Sequence, residues 1–171
     1  NHEEVNLPER PHYSSFVASQ AEALSSGRWN GQRDFWLEYL RDAQLALASP
    51  FDRSSPSPGG NSGTFRFRIG DKLTSGIKHS AASSNVSLYT FLMAAFQTLL
   101  LRLTAQDDLL VGSVVSGRTD AAWAGTVGYC VNQIVLRARW NEASTFEELL
   151  SRTQRDVSKA LECQDYPFSA L

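Results

Sequence analysis

Few residues in this sequence have the types and spacing of a known catalytic arrangement. The three histidines, His2, His12 and His79, are scattered, and the first of them does not begin an HExxH zinc site. Residues 112–117 place serines and glycines after an apolar run, but they lack the GxSxG spacing of a nucleophile elbow. There is no glycine-rich phosphate loop. The residues by themselves therefore assemble no nucleophile, base and orienting group.

The two cysteines predict neither a metal site nor a redox centre. Cys130 and Cys163 form no CxxC pair and have no histidine nearby at metal-ligand spacing. Two buried thiols in a reducing compartment are the expected outcome. Residues 1–11 are polar and acidic and carry no signal-peptide pattern, which favours a cytoplasmic location.

Polar side chains interrupt apolar segments at three places. Residues 116–120 follow a predicted buried strand, where Arg118 either binds a ligand or pairs with an acid. Within residues 127–133, Asn132 lies in an apolar strand, and its buried amide must bind either backbone groups or a substrate. Residues 164–168 follow the last predicted helix and indicate a helix stop. At each place the residues alone favour the structural interpretation.

Apolar residues at helical spacing predict five helices. The predicted helix starts are Ser14 or Ser15, Asn30, Asp71, Ser87 and Ser144, the last as a capping box with Glu147, and Gly27 ends the first helix. The second helix has a stripe of three aromatic residues and a leucine, Phe35, Trp36, Tyr39 and Leu40, which predicts packing in the core. The fourth has the longest apolar stripe, which predicts a core helix: Leu88, Phe91, Leu92, Ala95, Phe96, Leu99, Leu100 and Leu103.

Three segments have the patterns of β-strands. Residues 64–69 alternate between apolar and polar side chains, residues 109–115 are apolar on both faces, and residues 131–138 form a third strand. Residues 49–63 are rich in Ser, Pro and Gly and predict a surface loop. Because helices and strands interleave, the sequence predicts an α/β sandwich.

Composition excludes several classes of protein. The chain has 171 residues, which predicts one domain, and its 42% hydrophobic and 20% charged content is typical of a soluble globular protein. A net charge of -2 without a basic stripe argues against nucleic acid as a partner. The longest apolar stretch, residues 88–103, is short for a bilayer and contains polar residues, so no membrane span is predicted.

Five segments, in order along the chain, resemble motifs of the condensation domains of nonribosomal peptide synthetases. Residues 13–20 resemble YxDFAxWQ, and residues 35–40 resemble the YWxxxL helix. Residues 106–118 resemble GQDDxxVGxPVxGR. Residues 127–133 resemble I/V-G-x-F-V-N-T, and residues 164–168 resemble the end of HQDxPF. One such match is weak evidence, whereas five in order identify the family.

The chain also departs from the family pattern. Cys163 stands in the place of the histidine of HQDxPF, Cys130 in that of a phenylalanine and Gln133 in that of a threonine, which leaves subclass and donor preference open. The reaction-centre motif HHxxxDG is absent. Because that motif precedes these segments in the family, residues 1–171 are expected to be the C-terminal part of a condensation domain. The segments 127–139 and 164–168 resemble those of hybrid polyketide–peptide lines.

The resemblance implies a chloramphenicol-acetyltransferase-like α/β sandwich lobe with a mixed sheet, which faces an N-terminal lobe across the active site. It implies amide formation between acyl and aminoacyl thioesters, whose phosphopantetheine arms arrive on donor and acceptor carrier proteins, with no metal and no bound cofactor. This chain would contain no catalytic residue. It would supply a carrier-docking surface and a tunnel wall. The wall residues would be Asn132, Tyr129, Gly128 and Arg118, and the motif positions Gln164, Asp165, Pro167 and Phe168.

Two alternatives remain open at this stage. One is a non-catalytic lobe that serves as a docking or interaction module. The other is an acyltransferase of the same superfamily that uses a coenzyme A donor and requires HxxxD. An HHxxxDG motif upstream of Asn1 would indicate a condensing enzyme, and carrier-protein binding would test the docking module.

Overall fold

The computed structural model describes residues 10–48, 63–141 and 145–171. The predicted loop over residues 49–63, except Gly63, and the predicted cap Ser144 lie outside these ranges. The described elements are α1 (Tyr13–Ser25), α2 (Asn30–Tyr39), α3 (Asp71–Ser83), α4 (Leu88–Thr104), β1 (Asp108–Val115), β2 (Asn132–Arg139) and α5 (Phe146–Glu162). Two short 3₁₀ helices, Ala121–Trp123 and Phe168–Ala170, complete them.

The chain divides into two compact units. Unit 1 comprises Asn1–Arg41, Gly112–Ile134 and Ala160–Leu171, and unit 2 comprises Asp42–Val111 and Val135–Lys159. Four of the five motif segments lie wholly in unit 1. The candidate site is therefore a property of unit 1.

Helices α1 and α2 have N-caps that lie earlier in the chain than predicted, His12 for α1 and Trp29 for α2. The serine caps predicted for α1 are wrong, because the carbonyl of His12 already accepts hydrogen bonds from the N–H groups of Ser15 (3.0 Å) and Phe16 (3.4 Å). Asn30 is likewise the first residue of α2 rather than its cap, a position that Trp29 occupies.

The end of α1 follows the prediction. Gly27 has a φ of 73°, in the left-handed region that glycine adopts without a steric cost. The N–H of Gly27 donates to the carbonyl of Leu24 (3.2 Å), and the N–H of Arg28 donates to that of Ala23 (3.0 Å). This pair of bonds is a Schellman motif, which satisfies carbonyls that the helix end would otherwise leave unpaired.

The core of unit 1 includes side chains from both of its helices. Phe16 of α1 and Trp36 of α2 are buried, as are Cys130, Cys163 and Tyr166. The predicted aromatic stripe of α2 is confirmed at Trp36, while Phe35 and Tyr39 are half-buried and pack against it. The two cysteines form no disulfide within the described ranges.

In unit 2, the predicted start of α3 is wrong by one residue and that of α4 is confirmed. Gly70 precedes α3, and Asp71 is its first residue. Ser87 caps α4, and its hydroxyl accepts a hydrogen bond from the N–H of Thr90 at 3.0 Å. Helix α5 has a capping box one residue beyond the predicted position, between Thr145 and Glu148.

The predicted core stripe of α4 is wrong. The buried residues of this helix are Thr90, Ala94, Gln97 and Leu101, whereas Phe96 is 47% exposed and Leu99 is 51% exposed. Apolar residues surround most of α4, so their spacing does not distinguish one face from another. The buried polar residues have partners, since Gln97 Oε1 accepts a hydrogen bond from the Thr153 hydroxyl of α5 (2.9 Å).

A hydrophobic cluster and an ion pair join the elements of unit 2. Leu101, Leu109, Ala138 and Leu149 form the cluster, drawn from α4, β1, β2 and α5. The guanidinium of Arg137 pairs with the carboxylate of Asp108, and Nε lies 2.8 Å from Oδ1. Both side chains are largely buried, so the pair fixes the register of the two strands.

The α/β class is confirmed, but the sheet in the described residues is smaller than predicted. It consists of the two antiparallel strands β1 and β2. Residues 64–69, predicted as a strand, are not hydrogen-bonded into this sheet, and Phe65 and Phe67 are 87% and 75% exposed. An alternating pattern indicates a strand only when a partner edge is available to pair with it.

Within the described ranges, no single helix is long and apolar enough to cross a membrane. Helices α3 and α4 meet that test of length and composition only as a pair, and they are bent by 105° at the break between them.

Candidate functional site

The segment that follows α5 in unit 1, residues 163–168, has an irregular backbone. Such a backbone cannot satisfy its own polar groups, so its N–H and C=O groups need other partners. The first is Trp36 of α2, whose Nε1 donates a hydrogen bond to the carbonyl of Cys163 at 2.9 Å. The end of α5 is thereby attached to α2.

Asn132, the first residue of β2, binds the same segment. Its Nδ2 donates hydrogen bonds to the carbonyls of Gln164 (2.8 Å) and Tyr166 (2.7 Å), and its Oδ1 accepts one from the N–H of Phe168 (3.1 Å). Of the two partners considered from the sequence, backbone and substrate, the described bonds go to the backbone. Both amide hydrogens are used, and one lone pair of Oδ1 remains.

Gln32 of α2 binds the N–H groups that Asn132 does not reach. Its Oε1 accepts hydrogen bonds from the N–H of Asp165 (3.1 Å) and the N–H of Tyr166 (2.9 Å). Two carboxamides therefore hold one segment: Asn132 binds two of its carbonyls and the N–H of Phe168, and Gln32 binds two further N–H groups. Gln32 was not singled out from the sequence.

The carboxylate of Asp165 is fixed as well. The hydroxyl of Thr119 donates a hydrogen bond to Asp165 Oδ1 at 2.6 Å. The neighbouring Asp120 accepts a hydrogen bond from the N–H of Ala122 at 2.8 Å, which caps the 3₁₀ helix Ala121–Trp123. The segments 116–120 and 164–168, separate in sequence, thus meet at Thr119 and Asp165.

These residues border a cavity of about 170 Å³ in unit 1. Its polar lining includes Thr119, Asp120, Asn132, Gln164 and Asp165. Carboxylates, amides and a hydroxyl are groups that bind the polar atoms of a ligand, and none of them is a strong nucleophile at neutral pH. Within the described ranges no group of three or more His, Cys, Asp or Glu could hold a metal ion.

Arg118 stabilises the turn that leads into β2. Its Nη2 donates to the carbonyls of Thr126 (3.1 Å) and Gly128 (3.3 Å). The sequence left open a ligand or an acid as the partner of this arginine, and the partners in the structure are backbone carbonyls. The guanidinium holds the segment 126–128 in place.

Two glycines in these segments permit close approach of other groups. Gly117 has a φ of 62°, and a Cβ there would collide with the carbonyl oxygen of Cys130. A Cβ on Gly128 would meet the ring of Tyr13, whose hydroxyl donates a hydrogen bond to the carbonyl of Tyr129 at 3.0 Å. The side chain of Tyr129 itself is 75% exposed.

The structure thus brings only some of the predicted site residues together. Asn132, Gln164 and Asp165 line the cavity. The remaining five do not line it: Arg118, Gly128, Tyr129, Pro167 and Phe168. The segments 127–133 and 164–168, which the sequence noted separately, are joined by the three hydrogen bonds of Asn132.

Comparison with known proteins identifies the family. The family model described as "Condensation domain" matches residues 1–171. The chain belongs to the condensation domain family. Condensation domains form peptide bonds by acyl transfer, and they work with carrier protein domains in multidomain synthetases.

The relatives of this condensation sequence are nonribosomal peptide synthetases. It is 34% identical over 167 residues to surfactin synthase subunit 2 of Bacillus subtilis (strain 168), which is 96% of this chain and 5% of that protein. It is 32% identical over 167 residues to tyrocidine synthase 3 of Brevibacillus parabrevis, which is 96% of this chain and 3% of that protein. The chain therefore spans a small part of these relatives.

Two solved structures share the fold of this chain. The SgcC5 protein from Streptomyces globisporus matches with a TM-score of 0.82 and 26% identity, over 99% of this chain and 38% of that one. The X-domain from teicoplanin biosynthesis matches with a TM-score of 0.85 and 23% identity, over 96% of this chain and 38% of that one. This second likeness shows the fold alone.

The residues that sequence reasoning missed, Gln32 and Thr119, act through the 164–168 segment. Thr119 lies within one of the polar segments that were noted, but its partner 46 residues away is visible only in the structure. Gln32 precedes Trp36 by one helical turn, so both project from one face of α2. This spacing is the one feature of the sequence that points to Gln32. It becomes informative only once α2 is known to pack on the end of α5.

Proposed function

We propose that this chain is part of a condensation domain that joins two carrier-bound thioesters in nonribosomal peptide synthesis. The amine of a downstream aminoacyl thioester attacks the carbonyl carbon of an upstream acyl or peptidyl thioester. A C–N bond forms, the C–S bond breaks, and the amine proton leaves with the donor's phosphopantetheine thiolate as the free thiol. No oxidant, metal or bound cofactor is needed.

One observation carries this proposal, the match of the condensation domain family over residues 1–171. The structure adds that residues from four of the five motif segments line one polar cavity in unit 1, namely 13–20, 106–118, 127–133 and 164–168. Because that cavity offers hydrogen-bonding groups but no histidine or cysteine, its suggested task is to bind and orient rather than to transfer protons. The base would come from an HHxxxDG motif, which this chain does not contain.

The tunnel-wall residues take distinct roles in this proposal. Asn132 would shape the wall by holding the 164–168 segment and would offer its remaining Oδ1 lone pair to an amide of the pantetheine arm. Arg118 and Gly128 would act indirectly, since they set the path of residues 126–128. The exposed ring of Tyr129 would be available to the facing N-terminal lobe or to a substrate.

The proposed partners are a donor and an acceptor carrier protein and the N-terminal lobe. Each carrier delivers its substrate on a phosphopantetheine arm, so that arm is part of the substrate. The resemblance of segments 127–139 and 164–168 to hybrid polyketide–peptide lines makes a polyketide-derived acyl donor a further proposal. The proposed setting is the cytoplasm.

A reconstituted condensation reaction tests the proposal. The condensation domain that contains these residues is mixed with separately loaded donor and acceptor carriers, and amide product is measured by intact-protein mass spectrometry. Product that depends on the domain and on both loaded carriers is the expected result.

The same experiment separates the two rival functions. Binding of a loaded carrier without product would indicate a non-catalytic docking module. Product from a free coenzyme A thioester, with none from the carrier-bound donor, would indicate a coenzyme A-dependent acyltransferase. Either outcome would overturn the proposal.

A further inference from the structure

We propose that Gln32 is a positioning residue for condensation, because it holds the 165–166 turn and with it the Asp165 carboxylate at the cavity. Gln32 lies outside all five motif segments on which the family resemblance rests. The inference rests on the proposed function for its effect on turnover. The contact itself stands on geometry alone.

The Gln32 carboxamide oxygen is fully committed to this turn. Its Oε1 accepts hydrogen bonds from two consecutive backbone amides, Asp165 at 3.1 Å and Tyr166 at 2.9 Å. A carboxamide oxygen has two lone pairs, so both are used. Tyr166 is buried, and its N–H would have little access to water if the oxygen were removed.

Helix α2 fixes the position of the Gln32 side-chain oxygen. Gln32 and Trp36 are four residues apart and therefore lie on one face of the helix. Trp36 is 2% exposed and donates to the carbonyl of Cys163 at 2.9 Å, immediately before the turn. The buried indole thus fixes the distance between α2 and the end of α5, and Gln32 is held at the turn by the same helix.

Asn132 complements Gln32 from the other side. It binds the carbonyls of Gln164 and Tyr166, whereas Gln32 binds the N–H groups of Asp165 and Tyr166. Without Gln32, the peptide unit between Gln164 and Asp165 would be held only by the hydrogen bond from Asn132 to the Gln164 carbonyl. Gln32 supplies the second point of attachment that stops this peptide unit from rotating.

The orientation of Asp165 depends on that peptide unit. Its carboxylate accepts the 2.6 Å hydrogen bond from Thr119 and lines the cavity beside Asn132. If the 165–166 turn rotates, the carboxylate moves and the hydroxyl of Thr119 loses its acceptor. A displacement of about 1 Å at a substrate-binding wall is enough to reduce turnover by on the order of 100-fold.

The test compares two substitutions of similar size. Gln32→Met keeps the length of the side chain and removes the acceptor, whereas Gln32→Glu keeps acceptor oxygens at the same position. Leu37→Met, at an exposed position of α2, is the matched control for the new side chain. Hydrogen exchange of the Asp165 and Tyr166 amides is measured in the 171-residue chain, and kcat and KM are measured in the condensation domain that contains it.

The expected result is a specific pattern. Gln32→Met speeds exchange of both amides by about tenfold or more and lowers kcat on the order of 10- to 100-fold, with a smaller change in KM. For Gln32→Glu and Leu37→Met, the amide exchange rates and the kinetic constants remain close to those of the unchanged protein. If Gln32→Met does not fold, Gln32→Asn, whose oxygen is one methylene too short, replaces it.

Other patterns overturn the inference. Faster exchange with an unchanged kcat shows that the contact is structural only, and the proposed function then stands. A loss of kcat that Gln32→Glu does not recover shows that the acceptor oxygen is not the cause. If the unchanged domain makes no amide, the proposed function fails and the positioning role fails with it.

Discussion

For Asn132, the sequence raises the question of what its amide binds, and the structure gives the hydrogen-bond partners. The sequence placed a polar amide in an apolar strand and left open whether backbone or substrate satisfies it. The structure shows three hydrogen bonds to the backbone of residues 164–168. A role at the tunnel wall, which remains a proposal, therefore has to coexist with a structural one.

Replacing Asn132 with alanine should now affect stability as well as turnover. The change leaves two carbonyls and one N–H without their partner, and we expect it to cost about 1–3 kcal/mol of unfolding free energy. Chemical denaturation of the 171-residue chain measures this cost, with Gln133→Ala at the next, exposed position of β2 as the control. A loss no larger than that of the control would contradict the structural role. Normal turnover per folded molecule in the complete domain would reject the tunnel role.

Gly117 is a second position where one residue type is required. Alanine there would adopt an unfavourable left-handed φ, at about 1–2 kcal/mol, and would collide with the backbone of Cys130, at about 1–3 kcal/mol more. We therefore expect Gly117→Ala to destabilise the chain by about 2–5 kcal/mol. Urea denaturation with a fitted m-value is the measurement.

Gly112 provides the comparison for Gly117. It lies in β1, and a Cβ there would meet nothing within 4 Å. Gly112→Ala should leave stability unchanged or raise it slightly, because alanine loses less backbone entropy on folding. Equal losses for the two substitutions would show that the space around Gly117 is not limiting.

At the scale of elements, α4 shows how a helix with apolar residues on most of its surface can be misread. Its buried face consists of Thr90, Ala94, Gln97 and Leu101, two of which are polar. Thr90 and Gln97 are buried with hydrogen-bond partners, from Ser87 and Thr153 respectively. The larger apolar side chains, such as Phe96, point away from this face and remain partly exposed.

The two faces of α4 predict different costs of truncation. Leu101 is 6% exposed and belongs to the core cluster, so Leu101→Ala should cost about 2–5 kcal/mol. Phe96 is 47% exposed, so Phe96→Ala should cost only about 1–2 kcal/mol, less than the core stripe predicted from sequence would require. Thermal unfolding of both variants shows which face of α4 is buried in the core. A larger loss of stability for Phe96→Ala than for Leu101→Ala would support the core stripe predicted from the sequence.

At the scale of the whole molecule, the proposed function assigns the reaction to this chain together with the rest of a condensation domain. The chain covers 38% of the SgcC5 chain, and it contains no HHxxxDG motif. The cavity in unit 1 is lined by hydrogen-bonding groups and contains no histidine. These two facts agree with a role in orientation.

The 171-residue chain alone should therefore form no amide. Supplied with loaded donor and acceptor carriers, it lacks the group that would accept or position the amine proton. Product is measured by mass spectrometry against a reaction without protein, which reports uncatalysed aminolysis. Amide formed above that background would show that catalysis resides in these residues and not in a second lobe.

Sequence by itself determined the family, the motif positions and most of the elements of this protein. Those inferences depend on neighbouring residues, since caps, helical spacing and short motifs are encoded within a few positions of one another. The Ser87 cap of α4 and the glycine end of α1 are examples. Errors of one or two residues arose where a backbone carbonyl, as at His12, took the role expected of a side chain.

Only the tertiary structure decided which partners the polar residues have and which face of a helix is buried. Gln32, Asn132 and Thr119 reach residues 164–168 across separations of between 32 and 134 positions. No local pattern records such a pairing, because the energy of a hydrogen bond depends on where the chain brings its two atoms. The same reason explains residues 64–69, whose alternation is that of a strand but which pair with neither β1 nor β2.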